Sequence, residues 1–112
     1  MAQLDIYENR DTDTLEEIPY LVDIQHDLHQ NLKTRMMIPL VCVEAQRAEI
    51  TKLCPVFTIQ GKIVFASIPE MAAYPVSETG NKITNLTSER ATLFAAIDFL
   101  MHGFWNLRTP YL

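Results

Sequence analysis

Asp23, His26, Asp27 and His29 crowd one short stretch with groups that can bind metal ions or move protons. If Asp27 to Gln30 formed a helical turn, His26 and His29 would converge on one ion. Yet no Cys or further His follows at a site-like spacing. A polar turn after a strand fits the pattern better than a metal site, and no cofactor is expected. Asp98 and His102 stand four residues apart with the carboxylate upstream, which favours a protonated imidazole near a helix C-terminus. No nucleophile lies near them in sequence, so a surface or interface pair fits better than a catalytic dyad. A metal-free ribonuclease would need an acid, a base and a cation to stabilise the phosphorane. Asp23, a His and Arg35 could supply these. No Ser or Thr sits in a Gly-flanked nucleophile elbow, and three glycines in all leave no phosphate-cradling loop.

The element that must carry Asp98 and His102 is Thr87 to Phe104, TSERATLFAAIDFLMHGF. Thr87 is placed to cap a helix there, Glu89 suits the positive end of its dipole, and Gly103 is where a left-handed C-terminal cap is expected. Leu93, Ile97, Leu100, Met101 and Phe104 repeat at helical spacing, and Phe94 and Phe99 widen the apolar surface. Only Ala91, Ala95, Asp98 and His102 are left for water. A helix this apolar needs two surfaces, its own sheet and a second copy of the chain, or else a single large core around it.

Before the helix the pattern is of short strands. Leu4 to Tyr7 alternates, with Leu4 and Ile6 on one face. Glu8 to Glu16 is polar and full of turn-formers, which reads as a mobile loop: a solvated hairpin connection, or a docking loop that a partner orders. Tyr20 to Gln25 alternates with Tyr20, Val22 and Ile24 inward and Leu21, Asp23 and Gln25 outward. Arg35 to Val43 is apolar on both faces, as a central strand is, and Pro39 predicts an edge or a bulge there. Glu44 to Lys52 supports no more than a short helix or turn. Val56 to Ile59 and Lys62 to Ala66 flank Gln60 and Gly61, a tight hairpin. Pro69 and Pro75 punctuate the next segment, where Tyr74, Val76 and Ile83 suggest further short strands. The expectation is a mainly β, barrel-like fold with one C-terminal helix as a lid.

At 112 residues the chain is one domain, and 48% hydrophobic with 21% charged residues reads as globular. A net charge of −5 argues against direct nucleic-acid binding by phosphate neutralisation. No run is long and apolar enough to span a membrane and no signal peptide is visible at MAQLDIYENR, so a cytoplasmic location is expected. In that compartment Cys42 and Cys54 read as small buried hydrophobes instead of a disulfide.

Five blocks, taken together and in order, carry a resemblance: VDIQHDL (Val22 to Leu28), TRMMIPLV (Thr34 to Val41), LCPVFTI (Leu53 to Ile59), MAAYPVS (Met71 to Ser77) and AAIDFLMHGF (Ala95 to Phe104). From Leu4 to Phe104 the chain resembles the CcdB family of toxins. The resemblance implies an SH3-like barrel with a long C-terminal helix, a homodimer, residues 1–104 as the toxin domain and 105–112 as an extension. It further implies a non-catalytic toxin that binds the A subunit of DNA gyrase, traps its cleaved complex with DNA, and is neutralised by a CcdA-type antitoxin. The related MazF-type ribonucleases share the fold, so an endoribonuclease is the alternative, followed by a degenerate homologue that only binds antitoxin. Carried over by residue, gyrase binding falls to Leu28, His29, Asp98, Met101, His102, Gly103 and Phe104. Antitoxin binding falls to the Glu8 to Glu16 loop and the Val43 to Lys52 segment, with Asn9, Arg10, Asp11 and Arg47 named. The family commonly ends in Trp-Gly-Ile or a close variant, where this chain has His102, Gly103 and Phe104. His29 also departs from the family's paired aliphatics. The tail Trp105 to Leu112 is the largest departure, and is expected to fold back over the helix end.

Overall fold

The computed structural model describes residues 1–43 and 53–103. Seven strands form one curled half-barrel sheet closed by a single C-terminal helix, as the sequence predicts. The strands are β1 (Asp5–Asn9), β2 (Tyr20–Asp23), β3 (Thr34–Cys42), β4 (Val56–Ile59), β5 (Lys62–Ala66), β6 (Ala72–Pro75) and β7 (Thr79–Asn85). All neighbours run antiparallel in the order β4-β5-β3-β2-β1-β7, with β6 also pairing β3. Helix α1 spans Arg90–His102.

Strand alternation builds the main core. Ile6, Val22 and Ile38 lie in register across β1, β2 and β3 and are inaccessible to water. Leu4 joins them, with Phe57, Ile59 and Val64 from the β4–β5 hairpin and Leu93 and Ala96 from α1. The hairpin turns on Gln60 (φ 49°) and Gly61 (φ 82°), two successive left-handed residues that match the twist of the flanking strands. Cys42 is half-buried, Cys54 is buried, and both are thiols.

The other face of the sheet corrects the sequence reading. Leu21 and Asp23, expected outward, are 3% and 0% exposed. Strands β6 and β7 follow one another in the chain, yet they attach to opposite sides of β1–β3. The segment joining them must therefore cross that face. Beneath it a second small core forms from Tyr7, Leu21 and Met37, with Ile18 and Tyr74 packed on it. Pro39 pairs with Leu21 in the β2–β3 ladder, but its other side is the local edge expected, because β6 pairs β3 only as far as Met37 and β5 only from Leu40. Its carbonyl accepts from Ser67 N–H on the opposite side. A strand residue directs its N and C=O the same way, so the missing N–H faces the break between β5 and β6, where no ladder acceptor waits.

Three expectations near the ends of elements also change. The Glu8 to Glu16 loop is a structured connection, not a loose one. Asn9 Nδ2 donates to Thr14 Oγ1 and to the Ile18 carbonyl, and Asn9 Oδ1 accepts from Asp11 N–H. Thr87 does not cap α1, because Thr87 to Glu89 form a turn of 3-10 helix first. Asn85 Oδ1 accepts both the Thr87 N–H and its hydroxyl, so Asn85 holds the helix start. Ala95, expected in water, is 4% exposed; the small pair Ala95 and Ala96 lets the helix approach its neighbours closely, Ile68–Glu70 among them. At the other end Gly103 takes φ 77° and its N–H reaches the Phe99 carbonyl at 2.9 Å, the predicted left-handed cap. The short helix or turn expected at Glu44 to Lys52 lies outside the described residues, as does the tail from Phe104 to Leu112.

Candidate functional site

Asp23 sits at the end of β2 and Arg35 near the start of β3, diagonal neighbours on the face closed by the β6–β7 crossing. Arg35 Nε donates to Asp23 Oδ2 at 2.8 Å, Nη2 lies 2.7 Å from the same oxygen, and Nη2 also donates to the Gln25 carbonyl. Both side chains are at most 1% exposed. Burial pushes the Asp23 carboxyl above its usual range, against the pull of Arg35 and the Gln25 N–H. Asp5 follows a different balance. Burial alone would raise it, but hydrogen bonds from Asn85 and the Ala2 N–H, with Lys82 3.3 Å away, leave it below the usual range. The Tyr7 hydroxyl donates to Asp5 Oδ2, and burial beside that carboxylate drives the phenol strongly upward.

This network is structural. An RNA phosphate could not reach Arg35 or Asp23 without opening the sheet, so the ribonuclease set of Asp23, Arg35 and a His is not assembled at the surface. The other candidate ligands have separate duties. His26 Nδ1 accepts from Leu28 N–H and Asp27 Oδ1 accepts from Gln3 N–H. Among the described residues no three His, Cys, Asp or Glu side chains stand close enough to share an ion.

The carried-over gyrase residues occupy two exposed prominences. Leu28 and His29 lie on the 3-10 turn Asp27–His29, where Leu28 is 82% exposed. Asp98, Met101, His102 and Gly103 form the end of α1, with Met101 64% exposed and Asp98 half-buried. Among the described residues, a side chain added at Gly103 would meet no atom within 4 Å. Exposed and apolar-tipped at Leu28 and Met101, these parts suit docking to another protein better than enclosing a small molecule. Phe104 and Arg47 lie outside the described residues.

Of the carried-over antitoxin residues, Asn9, Arg10 and Asp11 come together at a hollow of about 570 Å³ between the β1–β2 loop and the β6–β7 crossing. Arg10 and Asp11 are exposed at its mouth. Asn9 is different: it is 8% exposed and its amide is spent on holding the loop. Tyr74, Ser77 and Glu78 complete the hollow. Nothing in the sequence marks those three, since only the crossing of β6 to β7 brings them over.

Comparison with protein-family models matches the CcdB protein over residues 3–103 of the 112. The chain belongs to the CcdB family. Membership supports a toxin of a toxin–antitoxin system. The match runs from the residue before Leu4 to the left-handed cap at Gly103, so it takes in the whole curled sheet and α1. Phe104 to Leu112 fall beyond it. No curated protein matches the chain. Among the described residues no helix is long and apolar enough to cross a membrane.

Proposed function

We propose that this chain is a cytoplasmic, homodimeric CcdB-type toxin that binds the A subunit of DNA gyrase and traps the cleaved complex with DNA. A CcdA-type antitoxin neutralises it. The observation that carries this reading is the family match from residue 3 to 103, which ends on the exposed tip of α1. Leu100 and Met101, 39% and 64% exposed there, are the apolar surface a second copy would cover. A twofold dimer then presents two copies of Asp98, His102 and Gly103 to a target that is itself twofold symmetric.

Poisoning of this kind needs no chemistry from the toxin. A protein that binds the opened, DNA-cleaved state of an enzyme better than the resealed state shifts the population toward it, by no more than the difference in affinity. His102 places a smaller, titratable ring where the family has a larger aromatic, so affinity for gyrase is expected to be modest. For the antitoxin, Arg10 and Asp11 at the loop hollow are the accessible contacts, with Arg47 as the family counterpart beyond the described residues.

The test is a cleavage assay with purified gyrase, supercoiled plasmid and this protein. Protein-linked linear DNA, with a structured RNA left intact in a parallel tube, is the expected result. RNA cleavage by the protein alone, with no trapped DNA, would move the assignment to the ribonuclease class.

A further inference from the structure

The sheet does not close on itself, and its two ends meet. The strand order ends on β4 at one side and β7 at the other, and these two are not hydrogen-bonded to each other. A groove of about 570 Å³ lies between them, with Val56 to Gln60 on one bank and Ile83 to Leu86 on the other. Hairpin register fixes how the β4 backbone points. Ile59 pairs with Lys62 across the two-residue turn and Phe57 with Val64, and Ala66 N–H reaches the Pro55 carbonyl. Those residues turn their N–H and C=O groups toward β5. Val56 and Thr58, at the intervening positions, turn theirs the other way, into the groove. An edge of this kind attracts a further strand unless something protects it.

We infer that this seam is a docking site for an extended segment of another polypeptide, which enters as one strand between β4 and β7 and completes the barrel. A second copy of the sheet does not fit. Its own edge strand would arrive already paired on one side, whereas the seam offers partners to both edges of a single strand. The lining sets the rest of the chemistry. Ile83 and Leu86, packed on the main core, ask for apolar side chains at alternate positions. Glu89 closes the helix end of the groove, and among the described residues no Lys or Arg lines it, so a basic residue belongs at that end. A different hollow, lined by Glu8, Leu15, Glu16, Tyr20 and Lys62, shares Gln60 and Ile83 with the seam, so a longer segment can continue toward Leu15 and Glu16.

The experiment uses the full chain and a phage-displayed library of random dodecapeptides, with the selected peptides synthesised for binding. Selected sequences should alternate apolar and polar residues with Lys or Arg near one end. On binding, the Val56 and Thr58 amides should gain protection from hydrogen exchange while Phe57 and Ile59 stay protected throughout. Thr58→Pro removes a donor that β5 does not use, and should weaken peptide binding about tenfold or more. Retained Phe57 and Ile59 protection will show that the variant's hairpin is intact. Glu89→Lys should shift selection away from basic peptides. The inference is overturned if no peptide is selected, or if those selected bind Thr58→Pro as well as the parent. It also falls if the Val56 and Thr58 amides are already protected in the free protein. Loss of that protection on ending the chain at Gly103 would make the occupant the chain's own tail, and loss on dilution would make it a second copy.

Discussion

Arg35 and Asp23 meet with 2.7 Å between Nη2 and Oδ2, and almost no water reaches either. Arg35 Nη1 is buried without a hydrogen-bond partner among the described residues, so the guanidinium depends on Asp23 for its counter-charge. Removing one partner leaves the other buried and unpaired. Asp23→Asn or Arg35→Met should therefore cost about 3–5 kcal/mol in urea unfolding. The double change to apolar residues should cost much less than the sum. Single variants within about 1 kcal/mol of the parent would show that the pair is not held as described.

The two buried carboxylates should respond to acid with opposite signs. Asp5 is held below its unfolded value, so its contribution is present above that value, near 3.9, and is lost as pH falls through the folded one. Asp23 is raised, so its contribution is present below the unfolded value and is lost as pH rises through the folded one. Unfolding measured through the acid range should show Asp5→Asn flattening the loss of stability on acidification. If Asp5→Asn steepens that loss, the hydrogen bonds from Asn85 and Ala2 are not what sets the balance.

Gly80 is fixed by close approach. A Cβ there would stand 2.8 Å from the Glu8 carbonyl oxygen and 2.9 Å from Glu8 Cβ, where β1 and β7 pair irregularly. Gly80→Ala should destabilise the fold by about 1–3 kcal/mol, the range for forcing extra atoms into a packed region. A neutral result by thermal or urea unfolding would mean that the β1–β7 irregularity relaxes easily.

Gly103 tests the proposed gyrase surface. Its φ of 77° suits Gly and is tolerated by Asn, and no described residue would meet the added side chain within 4 Å. Gly103→Asn should keep stability and most binding. Gly103→Arg should lose about 1–2 kcal/mol from the left-handed backbone and abolish gyrase binding through bulk and charge. Binding of Gly103→Arg at parental strength would place the contact elsewhere.

The exposed apolar end of α1 predicts a dimer whose loss weakens the fold. Burying side chains such as Leu100 and Met101 yields about 1.5–3 kcal/mol each relative to exposure. A small domain's net stability is only about 5–15 kcal/mol. Met101→Lys should give monomers in sedimentation and a lower unfolding midpoint. A parent chain that sediments as a stable monomer at micromolar concentration would remove the dimer from the proposal.

Most of the fold was legible because it rests on local rules. Period-two alternation placed the inward residues of β1 and β2, Gln60 and Gly61 placed the hairpin, and Gly103 placed the end of α1. The largest error has one cause, a second layer that no local pattern records. Leu21 and Asp23 look like outward residues until β6 and β7 attach to opposite sides of the sheet. The same crossing hides Arg35 and Asp23, which as residue types were fit for chemistry. The carried-over site came through unevenly. Of those residues Met101, His102 and Gly103 are exposed, Asp98 is half-buried and Asn9 braces the loop.

The pairing of Asp5 with Asn85 and of Ile6 with Thr84 sets a timetable for synthesis. The first strand out of the ribosome takes its outer neighbour from the last strand made, and α1 follows later still. At about 5–20 residues per second, β1 waits roughly 4–16 seconds for β7. Throughout that interval the nascent chain has no finished barrel and no helix tip to present. If the proposed gyrase surface at the tip of α1 is correct, that surface is absent until α1 emerges, and an antitoxin already in the cell has that interval as a head start.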